Sequence, residues 1–399
     1  MLKQELGLSD SAFGFLSGTL FALAYATGVI AISRLAGSRP MWRLLIGGIG
    51  CWTIGTMGLS FVVRPEQFML SQLLVGIGQA AFVPAAVTLI ADSRGPDRVA
   101  RATARFTTAS SLGRNSAVVT AGALIVAIGG VPIASWLPTP TPWRAAFLIT
   151  ALPNVALVLI LLTLRFRHRF VVEPVRIVPV DRTAPGTAPR RLRIGLFVTA
   201  SAVIILIQSI AMWFPSTLVR LYGIDSGRAA MMAGMVTLLT VPVGQWLGGQ
   251  LLDRIAWLRV LPTRAALAGL ALGGATIATV AVGLPLILTL VVLAITNLAL
   301  GVAGLAGLAG LQRTVTSSQR TRANGYFFAT ITLVGLGTGP LLTGMFSDAI
   351  ADPVRGLPIA LASVALISLV VAATGHLLAR SAMHKVRVEA AAQGASSRS

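Results

Sequence analysis

The chain has 399 residues, of which 55% are hydrophobic and only 11% are charged, and its formal net charge is +20. A soluble protein carries about 25% charged residues, so this composition excludes a soluble globular domain and predicts a protein embedded in lipid. The basic residues flank apolar runs instead of crowding into one domain, which argues against nucleic-acid binding.

Eleven apolar segments have the length of a membrane-spanning helix, for which roughly 20 residues suffice. In chain order they are predicted at residues 12–33, 43–63, 68–91, 107–130, 144–164, 194–218, 229–251, 261–283, 285–311, 323–346 and 356–379. In lipid a backbone must satisfy its own hydrogen bonds, and no alternating barrel pattern is present. We therefore predict an all-α polytopic membrane protein with eleven transmembrane helices.

Loops rich in Lys and Arg alternate along the chain with loops that contain few of them. Of the 32, 25 fall in every second loop or in the C-terminal tail. By the positive-inside rule these loops are cytoplasmic, so we predict a multi-pass protein of the plasma membrane (a bacterial inner membrane) with an outside N-terminus and a cytoplasmic C-terminus. An odd helix number with an outside N-terminus leads us to expect that a first helix is missing. Either the start codon is placed too late or the protein has eleven helices.

The longest hydrophilic stretch, 165–193, holds eight arginines and four prolines and is typical of an irregular linker. It divides the chain into an N-terminal bundle of five helices (1–164), a C-terminal bundle of six (194–380) and a cytoplasmic tail (381–399). The halves are weakly repeated: Gly37 and Asp253 are 216 positions apart, and so are Arg43 and Arg259. Two parallel repeats around a cavity are a common transporter plan.

Five segments resemble the major facilitator superfamily, most closely its spinster-like and organic-anion branches. They are LGLSDSAFGFLSGTLFALAYATG, VGIGQAAFVPAAVTLIAD, TPWRAAFLITALPN, GGQLLDR and RANGYFFATITLVGLGTGPLLTGMFSD. They occur in the family's order and resemble, in turn, the segment linking helix 1 to helix 2, helix 4, the entry to helix 6, the second-half copy of the cytoplasmic loop motif and helix 11. The resemblance implies a two-bundle fold and alternating access, with family helix 1 absent.

The chain departs from the family pattern at charged positions. Gly37 stands where relatives usually have Asp, and Gln72 and Gln79 stand where they often have Arg and Glu. We therefore predict a secondary transporter for a small, possibly anionic, organic solute. An uncoupled facilitator or a non-transporting relative, such as a sensor or partner-binding protein, is the alternative.

Arg114 lies inside a predicted span, where a charge costs at least about 2.5 kcal/mol and usually faces a partner or a wet cavity. A guanidinium group there suits a carboxylate or phosphate, although snorkelling or helix capping is the alternative. The other candidate solute contacts are polar residues inside spans, for which interhelical hydrogen bonding is the alternative. They are Gln72, Gln79, Asn115, Gln208, Asn297 and Tyr25. For Trp213 we favour an anchor in the headgroup region over a place in the cavity.

Two motifs are candidate gating elements. Asp253 and Arg254 match the family's cytoplasmic loop motif, which latches helix ends together. Gly337, Gly339 and Pro340 predict a point of bending or close packing.

The chain shows no paired carboxylates, no Ser–His arrangement, no metal-ligand spacing and no phosphate-binding loop. We therefore predict that it is not an enzyme and needs no metal or cofactor. Its predicted partners are a small solute and the lipid bilayer, and its predicted state is a monomer.

Overall fold

The computed structural model of the chain describes residues 2–35, 41–93, 96–129, 137–139, 141–167, 189–314, 327, 329–350 and 352–396. Every regular element within these ranges is a helix. The α-helices are α1 (Leu2–Glu5), α2 (Asp10–Gly14), α3 (Phe21–Leu35), α4 (Met41–Leu59), α5 (Pro65–Ser93), α6 (Pro96–Ile128), α7 (Pro142–Arg167), α8 (Arg190–Tyr222), α9 (Ser226–Arg254), α10 (Ala256–Val260), α11 (Thr263–Ala278), α12 (Leu286–Thr314), α13 (Gly337–Ala349) and α14 (Gly356–Ser396).

Three shorter helical segments continue these helices. A π-helical segment, Phe15–Leu20, joins α2 to α3, and another, Thr332–Leu336, leads into α13. A 3₁₀ turn, Thr279–Val282, ends α11. The start of α2 is capped by Ser9, whose hydroxyl oxygen accepts a hydrogen bond from the backbone N–H of Ala12.

Eight helical stretches in the described residues are long and apolar enough to cross a membrane. They are Asp10–Ile32, Pro142–Leu164, Arg190–Tyr222, Ser226–Arg254, Thr263–Val282, Leu286–Leu311, Ala329–Ala349 and Gly356–Lys385. The predicted all-α membrane fold is confirmed. Helices α4, α5 and α6 also occupy predicted spans, at 43–63, 68–91 and 107–130. The total of eleven crossings stays a prediction.

The chain forms two compact units. Unit 1 contains residues 1–178 and 218–238, and unit 2 contains residues 179–217 and 239–399. The domain boundaries expected from the sequence stay a prediction.

Small residues let helices approach closely within each unit. In unit 1, a Cβ atom on Gly78 of α5 would lie 2.5 Å from the backbone nitrogen of Trp52 in α4. In unit 2, a Cβ atom on Gly269 of α11 would lie 2.5 Å from the carbonyl oxygen of Ala299 in α12. Because lipid supplies no hydrophobic force between helices, such close backbone packing is what holds membrane helices together.

Large apolar side chains cover the outer surface of several helices. On α7, for example, Leu152, Leu159 and Ile160 are each more than half exposed. A soluble monomer rarely exposes contiguous apolar surface of this kind, whereas lipid solvates it.

Candidate functional site

Two glutamines lie on one face of α5 in unit 1. Leu70 lies two positions before Gln72, and Ile77 lies two positions before Gln79. Two positions correspond to a rotation of roughly 200° around the helix axis, so each apolar residue lies nearly opposite its glutamine. Leu70 is 59% exposed and Ile77 is 44% exposed, whereas both glutamines are partly buried. The two amides therefore point away from the apolar surface that suits lipid, as residues lining a polar interior would.

Tyr25 lies beside this glutamine face. A Cβ atom on Gly76, which stands between the two glutamines on α5, would lie 3.2 Å from the backbone nitrogen of Tyr25 on α3. The Tyr25 side chain is partly buried, and its ring stacks with that of Phe21 at a centroid distance of 6.3 Å. The structure thus brings Tyr25 and the glutamine pair together on adjoining helices.

Arg114 lies on α6 and its side chain is exposed. No hydrogen bond or ion pair joins it to another residue in the part of the chain that the structure describes. The neighbouring Gly113 faces open space, because a Cβ atom there would have no neighbour within 4 Å. The side chain of Asn115 lies outside the described residues. No described contact connects Arg114 with the glutamine face.

Gln208 and Asn297 belong to unit 2. The glycines of α12 that approach α8 do so in antiparallel order, Gly304 beside Ile207, Gly307 beside Ala200 and Gly310 beside Leu196. Asn297 lies seven residues before Gly304 and therefore on nearly the same face of α12. With this antiparallel pairing, the buried Asn297 of α12 lies at a level no more than about two helical turns along α8 from the partly buried Gln208.

Trp213 does not anchor the protein in the headgroup region, so that prediction is wrong. Its side chain is 1% exposed, and its indole N–H donates a hydrogen bond of 2.9 Å to the carbonyl oxygen of Pro340. An anchoring Trp would keep its polar edge at the membrane surface. The bond instead ties α8 to α13 inside unit 2.

The Gly337–Pro340 run packs closely within the same unit. Gly337, Gly339 and Pro340 are all buried. A Cβ atom on Gly339 would overlap the carbonyl oxygen of Ile205, so α8 and α13 touch backbone to backbone. Pro340 has no N–H for the preceding turn, and the π-helical segment Thr332–Leu336 ends just before it. A role in gating stays a prediction.

Comparison with known proteins decides the class. The family model described as Major Facilitator Superfamily matches residues 1–336. The chain belongs to the major facilitator superfamily.

Two relatives illustrate its place in the superfamily. It is 27% identical to an MFS-type efflux pump of Mycolicibacterium smegmatis, over 88% of this chain and 79% of that protein. It is 28% identical to human protein spinster homolog 1, over 64% of this chain. That match spans only 50% of the human protein's length.

Solved structures share the fold. A crystal structure of a bacterial homolog of the human lysosomal transporter Spinster, inward-facing and occupied, gives a TM-score of 0.80 at 21% identity. The match covers 96% of this chain and 93% of that one. A nucleoside transporter gives a TM-score of 0.71 at 12% identity and covers 94% and 93%.

Helix α9 ends in GGQLLDR, the segment that resembles the family's loop motif. Asp253 and Arg254 are both exposed there. Their proposed role in latching helix ends stays a prediction.

Sequence reasoning missed a buried arginine in unit 1. Arg144, in the first turn of α7, is 1% exposed, and it is not among the candidate residues predicted from the sequence. Its guanidinium group donates to the Ser60 carbonyl oxygen at 2.9 Å, to the Thr139 hydroxyl at 2.8 Å and to the Glu5 carboxylate at 2.8 Å. The indole of Trp143 donates to the same carboxylate at 2.9 Å. The Trp–Arg pair in TPWRAAF could have signalled this network.

The network sets the ionisation of Glu5. Burial alone would raise the pKa of this carboxyl, but the hydrogen bonds from Trp143 and Arg144 and the charge of Arg144 outweigh it, so the pKa is lowered from 4.5. The ion pair fastens the N-terminal segment to α7. A shallow cavity of about 360 Å³ beside it is lined by Gln4, Glu5, Thr141, Pro142 and Trp143.

Proposed function

We propose that this protein carries a small organic solute across the plasma membrane by alternating access. The observation that supports this most directly is the amide face of α5, where Gln72 and Gln79 point away from the exposed Leu70 and Ile77. A secondary transporter needs such polar groups inside an apolar shell, because a solute must be bound without entering lipid. Tyr25 extends this face from α3.

The solute is an organic anion in this proposal. Arg114 is an exposed cation on a helix whose other side chains along 107–128 are hydroxyls, the amide of Asn115 and apolar groups. Among the described residues no carboxylate neutralises it. A guanidinium group binds a carboxylate or phosphate through two parallel hydrogen bonds, which an ammonium or an amide cannot reproduce.

A second candidate is an uncoupled facilitator. The amides of Gln72 and Gln79 can donate and accept hydrogen bonds, but they do not ionise and so cannot carry a proton from one side of the membrane to the other. Such a protein would move its solute only down the solute's own gradient. A non-transporting relative that binds a solute as a sensor is a further form of this alternative.

Uptake into proteoliposomes distinguishes these functions. Labelled organic carboxylates, phosphomonoesters, nucleosides, dipeptides and a cationic dye would be offered with and without a pH gradient. Anion uptake driven above equilibrium by the gradient supports coupled transport, while equilibration alone supports the facilitator. Uptake equal to that of empty liposomes for every class would refute transport.

The role of Arg114 has its own test. Arg114→Gln should lower the uptake of the anion by about tenfold, because one charge-assisted hydrogen-bond pair is lost. Arg64→Gln, which removes an exposed cation at the start of α5, is the matched control and should leave uptake unchanged. Equal effects of both variants would show that only net charge matters.

The orientation and location belong to the same proposal. The N-terminus lies outside, the C-terminus is cytoplasmic, and the protein is a monomer of a bacterial-type inner membrane, with the linker 165–193 between two bundles. A fluorescent protein fused after Ser399 should fluoresce only if the tail is cytoplasmic. A dark fusion on a correctly folded transporter would reverse the topology.

A further inference from the structure

A threonine and a histidine join the start of α11 to the middle of α14. The hydroxyl oxygen of Thr263 lies 2.8 Å from Nδ1 of His376, within hydrogen-bond distance. Further along the same helices, a Cβ atom on Gly274 of α11 would lie 3.3 Å from the side chain of Ala365 in α14. Because the earlier residue of α11 meets the later residue of α14, the two helices run antiparallel, and both belong to unit 2.

Two arginines lie on the same side of this contact. Arg264 follows Thr263 by one position, a rotation of about 100° around α11. Arg380 follows His376 by four positions, a rotation of about 40° around α14. Because the helices are antiparallel and both right-handed, the two rotations turn toward the same side of the helix pair. In agreement with this placement, the charges of both arginines act on the His376 ring. Arg264, His376 and Arg380 therefore form one basic cluster.

No carboxylate neutralises the basic cluster among the residues that the structure describes. Neither Arg264 nor Arg380 takes part in an ion pair there. Helices α10 and α11 contain no Asp or Glu, and the first acidic residue of α14 is Glu389. Glu389 lies nine positions after Arg380, which is roughly 13 Å along a helix. The cluster is thus an excess of positive charge that attracts an anion from outside the protein.

An exposed tryptophan stands beside the basic cluster. The guanidinium carbon of Arg264 lies 5.7 Å from the ring centroid of Trp257 in α10, and its Nη1 donates a hydrogen bond of 3.2 Å to the Trp257 carbonyl oxygen. The tryptophan is 55% exposed. Tryptophan side chains concentrate at the level of the lipid headgroups. The cluster also borders the candidate span Thr263–Val282, which indicates the same level.

Apolar side chains continue from the basic cluster along the outside of α14. The most exposed of them are Leu366, Val370 and Leu377, each with more than half of its surface exposed. Counted from His376, they lie about 80–120° around α14, on the same side as Arg380. Basic groups at one end of an apolar helix face match a membrane lipid, whose phosphate lies above its acyl chains.

We propose that the start of α11 and the α14 turn from His376 to Arg380 form a binding site for an anionic membrane phospholipid. Arg264 and Arg380 bind the headgroup phosphate, because a guanidinium group matches two phosphate oxygens at once. His376 is held by Thr263 through Nδ1, which leaves Nε2 for a further hydrogen bond. The acyl chains lie along the exposed apolar face of α14. Basic pockets between transmembrane helices bind anionic headgroups in other membrane proteins. The site does not require that the protein transports a solute.

Competition between two lipids tests the site on the whole protein. The purified chain in neutral detergent micelles would be offered equal amounts of phosphatidylglycerol and phosphatidylcholine, and native mass spectrometry would count the lipids it retains. Phosphatidylglycerol should be retained about tenfold or more over phosphatidylcholine, because each arginine attracts an anionic headgroup. Arg264→Gln and Arg380→Gln should each lower this preference by about fivefold or more, because each removes a charge-assisted pair of hydrogen bonds.

Two control variants each remove one positive charge away from the basic cluster. Arg355→Gln changes an exposed cation just before α14, at the other end of that helix. Arg190→Gln changes an exposed cation at the start of α8. Helix α8 approaches α14 at Ala379, about 60° around α14 from His376 in the direction opposite to Arg380. Both controls should keep the lipid preference of the unchanged protein.

Soluble anions distinguish a lipid from a free phosphate. An excess of glycerol 3-phosphate or of inorganic phosphate would be added to the protein that retains phosphatidylglycerol. Neither should displace the lipid, because neither has acyl chains to contact the apolar face of α14.

Three outcomes would overturn the lipid site. One is the lack of any preference for phosphatidylglycerol, or a preference that Arg264→Gln and Arg380→Gln both keep while they remain monodisperse and unfold cooperatively. Another is an equal loss in Arg355→Gln or Arg190→Gln, which would mean that overall charge attracts the lipid. The third is displacement of the lipid by either soluble anion, which would make the ligand a free phosphate.

Discussion

Trp213 and Pro340 join α8 to α13 through a hydrogen bond of 2.9 Å between the indole N–H and a carbonyl oxygen. The bond is buried, and it lies one residue beyond Gly339, where the two helix backbones meet. A carbonyl oxygen has two lone pairs, so the carbonyl of Pro340 can accept from the indole as well as from its own helix, and the bond adds a link between two helices. The pair therefore links α8 and α13 beside the point at Gly339 where the two backbones touch.

Trp213→Phe should lower the free energy of unfolding by about 1 kcal/mol, because it removes the hydrogen bond and keeps most of the apolar contact. Trp213→Ala should cost about 3–5 kcal/mol through the cavity it leaves. Thermal unfolding in detergent measures both changes. Trp246→Phe on α9 is the matched control, since that side chain is 63% exposed and should be nearly neutral. A neutral Trp213→Phe would mean that the bond adds no net stability.

Glu5→Gln should change the pH dependence of stability. Because the folded-state pKa of Glu5 is lowered from 4.5, its ionised form stabilises the native protein above that pH, and this contribution is lost as the pH falls through the folded pKa. The variant should therefore be less stable at neutral pH, by about 1 kcal/mol or less since the carboxylate is partly exposed, and should match the unchanged protein in acid.

Unfolding temperatures measured from about pH 7 down to about pH 3 test this difference. Glu66→Gln, which removes an exposed carboxylate from the first turn of α5, serves as the control and should show no comparable convergence. A stability difference between Glu5→Gln and the unchanged protein that persisted in acid would show that the amide fails for a reason other than charge.

Hydropathy predicted the helices because the bilayer dictates both their length and their surface. The span expected at 356–379, for example, lies inside α14, and the loop charges mark its ends. What hydropathy could not predict is which buried polar groups meet. Trp213 and Pro340 are 127 positions apart, and Arg144 and Glu5 are 139 apart, so no local pattern links them.

The candidate site was predicted in part, for the same reason. The seven-residue spacing of Gln72 and Gln79 placed them on one face of α5, because helical periodicity is local information. That Tyr25 lies beside them depends on how α3 packs on α5, which the close approach at Gly76 determines. The pairing of Asp10 with Arg220 requires the tertiary structure, since each residue alone is an ordinary helix-terminal charge.

Gln79→Ala should reduce the apparent affinity for the transported solute by about 2–10-fold, the cost of one lost hydrogen bond. Ile77→Ala is the matched control, because it shortens an exposed side chain on the opposite face of α5 and should leave affinity unchanged. Uptake kinetics in proteoliposomes give both values. An equal loss in the two variants would indicate a general packing defect, and an unaffected Gln79→Ala would remove the amide from the binding site.

Gly339→Ala should separate α8 from α13. The added methyl group would overlap the Ile205 carbonyl oxygen, which is backbone and cannot rotate aside, so the helices must move apart at a cost of about 1–3 kcal/mol. Gly249→Ala on α9 provides the comparison, because its Cβ atom would meet only a side-chain carbon of Leu305 at 3.7 Å. That change should be neutral or stabilise by up to about 1 kcal/mol. Thermal unfolding of both variants measures the contrast, and a Gly339→Ala protein as stable as Gly249→Ala would show that the contact at Gly339 can widen freely.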